Sequence, residues 1–398
     1  MSSLVGNYNY PVAYRIGCGR IRELADNCRA QGMARPLIVT DPGVAQLPWF
    51  TELCETLGAA GIEAAVFSEV NANPSEKDVD AGVAAYRQGQ HDGMLLIGGG
   101  SALDAGKCVA LMVGNAGSVF DYEDVGDNWT RVNPDVIPPM IAIPTTAGTG
   151  SEVGRASVIV DTSDHSKKII FHPKMQPPVV LADPELTFGL PAKLTAATGM
   201  DALAHCFEAF CAPGYHPMAD GIALEGMRLI EAHLRTAVRD GSNAEARTHM
   251  LMAAAMGATA FQKGLGLVHA LSHPLGGATN IHHGTANAIF LPYVMLYNRE
   301  QIAEKMDRLA RFLGLDMAGD DGFDAVMKWM LALRKELDMP HTLADALGPE
   351  GFDEAMARQL APLAARDPSM GGNPRPADLA QLEQCFLDAW RGTLPGYE

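Results

Sequence analysis

The sequence is short of positive charge: 30 Lys and Arg stand against 47 Asp and Glu, a formal net charge of −17 over 398 residues. Such a chain repels a phosphate backbone or an anionic bilayer, and no basic run offsets this locally, so neither nucleic acid nor a membrane surface is an expected partner. No uninterrupted apolar stretch reaches the roughly 18 residues of a membrane-spanning helix. Met1 to Tyr10 carry neither a basic start before an apolar stretch nor a small-residue cleavage site, so a cytoplasmic location is expected. The seven cysteines, at 18, 28, 54, 108, 206, 211 and 385, are odd in number, scattered and without a CxxC pair. That usage fits reduced thiols better than a disulfide framework and gives little support to a sulfur-ligated metal.

Two nucleotide fingerprints are missing as well. A P-loop needs Gly where this chain has Ser101 and Ser or Thr where it has Cys108, so the NTPase reading fails. GxGxxG with its downstream acidic residue is also absent, and any dinucleotide must be held by a variant arrangement.

What is present is a chain that can bury a large core, 47% hydrophobic and 19% charged. Roughly the first 185 residues alternate short apolar runs (Leu37–Thr40, Met94–Ile97, Met140–Ile143) with amphipathic segments, the rhythm of β-α-β units on a mostly parallel sheet. After Asp183-Pro184, Ala, Leu, Met and Glu recur at helical spacing and β-branched clusters nearly vanish. The expected architecture is an α/β domain with a parallel sheet over residues 1–188 and an all-helical domain over 189–398, with a ligand-bearing cleft between them.

Met94-Leu-Leu-Ile-Gly98-Gly99-Gly100-Ser101 reads as a buried strand, a glycine turn and a helix opened by a serine cap. Bare amides at such a helix start attract phosphate, because glycine permits close approach and the helix dipole is positive there. Asp41, after Leu37-Ile-Val-Thr40, can accept from a ribose 2′-hydroxyl and repel a 2′-phosphate, which favours NAD over NADP; Asp-Pro-Gly is equally ordinary turn chemistry. A third polar loop, Thr145-Thr146-Ala-Gly-Thr149-Gly-Ser-Glu152, again follows an apolar strand.

In the helical half, Asp201 and His205 lie at i and i+4, His269 and His273 repeat the spacing, and His283 follows. Each pair alone is commonplace. Together, on helices rich in Ala and Leu, they offer few partners to one another except a shared cation. A carboxylate and three neutral imidazoles suit Zn or Fe better than Mg or Ca. His216, His233, His249, His282 and His341 have no matching neighbours, and Cys206 is turned about 100° from His205 on a helix, so packing is its expected role.

With these motifs the chain resembles the iron-containing (group III) alcohol dehydrogenase family over nearly its whole length, most specifically at Gly264-Leu-Gly-Leu-Val-His269-Ala-Leu-Ser-His273-Pro-Leu-Gly and His283-Gly284. The resemblance implies a dinucleotide-binding first domain and a metal- and substrate-binding second one. It gives the metal-ligand roles to Asp201, His205, His269 and His283, with Fe2+ as the cation and Zn2+ as the other candidate. It makes His273 a proton relay near the nicotinamide. Around NAD it places Asp41, Asn73, Gly98, Gly99, Gly100, Ser101, Asp104, Thr145, Thr146, Thr149 and Lys167. It further implies a homo-oligomer, a dimer or larger.

The expected activity is hydride transfer between a small alcohol or aldehyde and NAD, the cation acting as a Lewis acid that lowers the hydroxyl pKa. The run Phe261-Gln-Lys263-Gly264 is one residue shorter than in propanediol oxidoreductases, and Asp121 to Asp135 looks extended, so the substrate carries over less directly. If Lys263 faces the pocket, a hydroxy acid or semialdehyde becomes the alternative; its other reading is a solvated surface lysine. A dehydroquinate-synthase-like lyase is the remaining competitor, but it needs a Lys/Arg cluster around the metal, and the nearby segments hold only Lys193 and Lys263.

Overall fold

The computed structural model describes residues 12–397 apart from 165 and 320, so Met1 to Tyr10, read above for targeting signals, lie outside the described residues. The described chain divides into two units between Gly189 and Leu190.

The first unit is built on six parallel strands: β1 (Ala13–Ile16), β2 (Leu37–Val39), β3 (Ala65–Phe67), β4 (Met94–Gly98), β5 (Met140–Pro144) and β8 (Val179–Ala182), in the order β1-β8-β5-β4-β2-β3. Strands β2, β4, β5 and β8 are buried at every residue. That is why their sequence is continuously apolar: a parallel sheet is covered on both faces. One face packs Ile38, Leu95, Ile97, Ile141, Ile143 and Leu181 against Leu24, Phe50 and Leu57. From β2 the chain moves outward to β3 and then returns to pair β4 on the other side of β2. The order therefore reverses between β2 and β4, and ligands bind at the carboxyl ends of strands at such a point.

The sequence reading did not foresee the antiparallel hairpin of β6 (Ala156–Asp161) and β7 (Ser166–Phe171). The segment that looks extended folds as three short 3-10 turns, Val119–Tyr122, Asn128–Arg131 and Pro134–Val136.

The second unit contains no strand among the described residues. Its central helix, Ala192–Cys211, is buried along most of its length. Small residues let neighbours approach it: a Cβ on Gly199 would stand 2.2 Å from Leu234 Cδ1, and one on Gly257 3.0 Å from His205 Cβ. No single helix among the described residues is long and apolar enough to cross a membrane.

Candidate functional site

On the Ala192–Cys211 helix, Asp201 and His205 share one face because four residues make about one turn. His269 comes from the helix Leu267–Thr279, and His283 opens the helix His283–Tyr297. Gly284 lets that last helix dock: a Cβ there would lie 2.1 Å from the Ala197 carbonyl oxygen and 3.2 Å from Asp201 Cβ.

All four side chains converge. Asp201 Oδ1 lies 3.8 Å from His205 Nε2, 3.9 Å from His269 Nε2 and 3.6 Å from His283 Nε2. Bonds of about 2.1 Å to a tetrahedral cation place its ligand atoms about 3.4 Å apart, and the three distances from Asp201 Oδ1 lie near that spacing. Asp201, His205 and His269 are buried and keep their donor atoms within 4.8 Å of one another. The rings of His205 and His269 stack at 4.7 Å, and His283 stands 5.3 Å from His269.

Among the described groups one amide reaches this point. Asn287 Nδ2 lies 2.7 Å from Asp201 Oδ1, 3.3 Å from His269 Nε2 and 3.2 Å from His283 Nε2, while its own Oδ1 is buried without a partner. The amide thus crowds against a carboxylate oxygen and two imidazole nitrogens, the donor types that ligate a divalent cation.

Around the ligands lie two carboxylates that sequence reasoning missed. Glu208 accepts from His269 Nδ1 at 2.5 Å and from the Val268 amide at 2.7 Å. It follows Asp201 by seven residues, two turns of the same face, a spacing that could have revealed it. Asp367, from a loop remote in sequence, accepts from His273 Nδ1 at 2.8 Å. No local pattern could have announced it. Burial opposes a charged His269, yet the carboxylates of Glu208, Asp201 and Asp367 leave its pKa raised. Burial pushes the Asp367 carboxyl up, but His273 and the Ser369 hydrogen bonds outweigh it and hold the pKa low. The His273 and His283 rings stack 5.3 Å apart at 13°.

Lys263 is neither solvated nor free. Its side chain is 2% exposed, and Nζ donates to Asp220 Oδ1 at 2.5 Å. Both sequence readings of this lysine are corrected: the Phe261–Lys263 turn folds inward and buries it, and Asp220 neutralises it. Cys206 and Cys211 are buried, with thiols pushed up to about 12 by burial, as packing residues are.

In the first unit, three loops meet at the carboxyl ends of β2, β4 and β5. A Cβ on Gly98 (φ 149°) would fall 2.7 Å from Ala102 Cβ and 3.3 Å from Asp41 Oδ2. One on Gly99 would meet Thr146 at 3.3 Å, and one on Gly100 would strike Thr149 at 2.6 Å. The three glycines are thus needed for the close packing of this turn against Ala102, Asp41, Thr146 and Thr149. Asp41 Oδ1 caps the short helix after it through the Gly43 and Val44 amides.

The expected serine cap is corrected. The helix Gly100–Met112 has Gly99 at its N-cap and no side-chain cap, which leaves its first amides to a ligand. Ser101 instead donates to the Ala72 carbonyl at 2.6 Å, tying in the loop that carries Asn73. Thr145 is buried, its amide bonded to the Gly98 carbonyl at 3.0 Å. Asp104 accepts from the Ser151 hydroxyl and the Val158 amide, a role that holds the β5–β6 connection. Lys167 lies on β7 opposite Val160, which itself bridges to Ser75 beside the Asn73 loop.

Family profiles described as iron-containing alcohol dehydrogenase and as the C-terminal part of the Fe-containing alcohol dehydrogenase family match residues 11–184 and 195–390. The chain is 43% identical over 300 residues to a 4-hydroxybutyrate dehydrogenase of Cupriavidus necator, covering 74% of this chain and 77% of the relative. It is 35% identical over 387 residues to an NAD-dependent methanol dehydrogenase of Bacillus methanolicus, covering 96% and 99%. A crystal structure of 1,3-propanediol oxidoreductase superposes with a TM-score of 0.90 at 35% identity, over 96% of this chain and 99% of that one.

Proposed function

The chain belongs to the iron-containing alcohol dehydrogenase family and is an NAD-dependent, metal-containing oxidoreductase of small alcohols and aldehydes; from that premise we propose how its own residues divide the work. Asp201, His205, His269 and His283 hold the cation, Fe2+ by family. The approach of three imidazole nitrogens to one buried oxygen of Asp201 supports this assignment. The α/β unit, residues 1–188, binds NAD, and the helical unit, 189–398, binds metal and substrate.

When bound, the cation supplies Lewis acidity toward the substrate oxygen, and NAD supplies the hydride acceptor or donor. His273 handles the proton. Its Nδ1–H is committed to Asp367, so Nε2 is the atom that takes the hydroxyl proton during oxidation and returns it during reduction. Asp367 fixes the ring and stabilises the imidazolium that results.

On the cofactor side, the amides of Gly100 and Ser101, at a helix start without a side-chain cap, receive phosphate. Asp41 Oδ2 accepts from a ribose hydroxyl, since Oδ1 is spent on its cap. Thr146 and Thr149 flank the glycine turn with Asn73 and Lys167 nearby, while Thr145 and Asp104 brace the loops behind. The enzyme works in the cytoplasm as a homo-oligomer, a dimer or larger.

The identity to a 4-hydroxybutyrate dehydrogenase supports a second reading of substrate, a short hydroxy acid or its semialdehyde. Burial of Lys263 and its ion pair with Asp220 argue against it as the cation for that carboxylate. Absorbance at 340 nm with NAD, comparing 4-hydroxybutyrate with butan-1-ol, separates the two readings. His269→Ala should lose bound metal and NADH formation together; a variant that keeps its metal contradicts the ligand assignment.

A further inference from the structure

We infer that Glu208 is a positioning residue that dictates which nitrogen of His269 faces the cation, by accepting at once from two N–H groups at the start of the helix Leu267–Thr279. This rests on the ligand reading above and adds a residue to it.

The helix has Gly266 at its N-cap, with no side-chain cap from that residue. Its first amides are satisfied from elsewhere: Leu267 N–H by Asn373 Oδ1 at 3.2 Å and Val268 N–H by Glu208 Oε1 at 2.7 Å. The Val268 amide can only donate, so Oε1 can only accept. The second oxygen, Oε2, faces His269 Nδ1 at 2.5 Å. The ring is thus oriented with Nδ1 against Glu208 and Nε2 on the side of Asp201, and a carboxylate facing Nδ1 favours the tautomer with its hydrogen there. A neutral imidazole with Nδ1–H has its lone pair on Nε2, and Nε2 is the atom that lies 3.9 Å from Asp201 Oδ1 and 3.3 Å from the Asn287 amide. One carboxylate thereby caps the helix and aims its histidine.

The fit leaves no slack. Glu208 is 4% exposed, and a Cβ at position 266 would stand 2.9 Å from its Oε1. A glutamine cannot replace it, because Gln has one acceptor oxygen for two donors. If that oxygen stays on Val268, the amide NH2 confronts Nδ1 and drives the proton to Nε2, closing the nitrogen the cation needs. If the oxygen turns to His269, the NH2 meets the Val268 N–H.

Two measurements test this with Zn2+ as a diamagnetic probe. In the Zn2+-loaded wild type, 15N NMR of His269, assigned by its loss in His269→Gln, should show a protonated Nδ1 and a metal-bound Nε2. Coordination through Nδ1 overturns the inference, and this readout does not depend on any Glu208 variant folding. In Glu208→Gln with a wild-type far-UV spectrum, the Zn2+ dissociation constant from chelator competition should rise about 10–100-fold, and Glu208→Asp, which keeps two acceptor oxygens, should recover part of the loss. Wild-type affinity in Glu208→Gln alongside metal loss in His269→Ala sinks the positioning role alone. Wild-type affinity in His269→Ala sinks the ligand reading itself.

Discussion

The position of Nε2 separates two histidines that sequence spacing makes equivalent. His269 and His273 occupy the same helix four residues apart and each turns Nδ1 to a carboxylate outside the ligand set, Glu208 and Asp367, but it is His269 whose Nε2 lies 3.9 Å from Asp201 Oδ1. Removing the relay should therefore not remove the metal. His273→Ala is expected to lower kcat/KM by about 10²–10⁴-fold, the usual worth of a general acid-base, with metal content unchanged in elemental analysis. Asp367→Asn should lower it too, because an amide can present its NH2 to Nδ1 and reverse the tautomer. Metal loss in either variant would make His273 a ligand.

Residue by residue, i, i+4 spacing on a helix is a geometric statement and made the pairs Asp201–His205 and His269–His273 legible, while the choice of His283 over His273 as a ligand came from the family resemblance. Glu208, seven residues after Asp201, and Asn287, four after His283, had helical spacing partners that were passed over, whereas Asp367 had none. The contacts that give them meaning span 61, 86 and 94 residues of chain. Lys263 shows the reverse error: a charged residue in a short turn reads as solvated until the fold supplies Asp220 43 residues away.

At the scale of elements, the parallel strands announced themselves through continuous apolar runs, and each observed strand begins at the first residue of the run read from sequence: Leu37, Met94 and Met140. The hairpin β6–β7 escaped because Ser157, Lys167 and Lys168 interrupt its apolar pattern. The serine cap failed for a local reason, since Gly99 already occupies the capping position and leaves Ser101 one residue inside the helix.

Helix docking depends on a feature that a sequence pattern does not weigh, the missing Cβ of Gly284. A methyl there would meet the Ala197 carbonyl oxygen at 2.1 Å, a backbone atom that cannot swing aside. Gly284→Ala should push the helix His283–Tyr297 off its neighbour, cost about 1–3 kcal/mol in chemical denaturation and weaken metal retention through His283. Unchanged stability and metal content would mean that this close approach is not needed.

For the molecule as a whole, acidity is distributed unevenly between surface and core. Most carboxylates are solvated, but Glu152 is buried beside Lys107 and Tyr14, and burial pushes its pKa up to about 7, more than those partners and its backbone hydrogen bond pull it down. The folded state then binds a proton that the unfolded state releases near pH 4.5. Metal-free protein should lose stability by a few kcal/mol as pH rises from about 4.5 to about 7, because each pH unit between the unfolded and folded pKa is worth about 1.4 kcal/mol. Glu152→Gln should flatten that slope in denaturation midpoints taken at pH 5, 6 and 7, and an equally steep slope in the variant would remove Glu152 as its cause.

The central claim is that Asp201, His205, His269 and His283 grip one cation. Anomalous diffraction at the iron edge, from crystals of protein purified and loaded with Fe2+ under anaerobic conditions, tests it most directly. The account predicts one strong peak bonded to Asp201 and to an Nε2 of each of the three histidines, and a peak elsewhere, or one that any of the four does not touch, would contradict it.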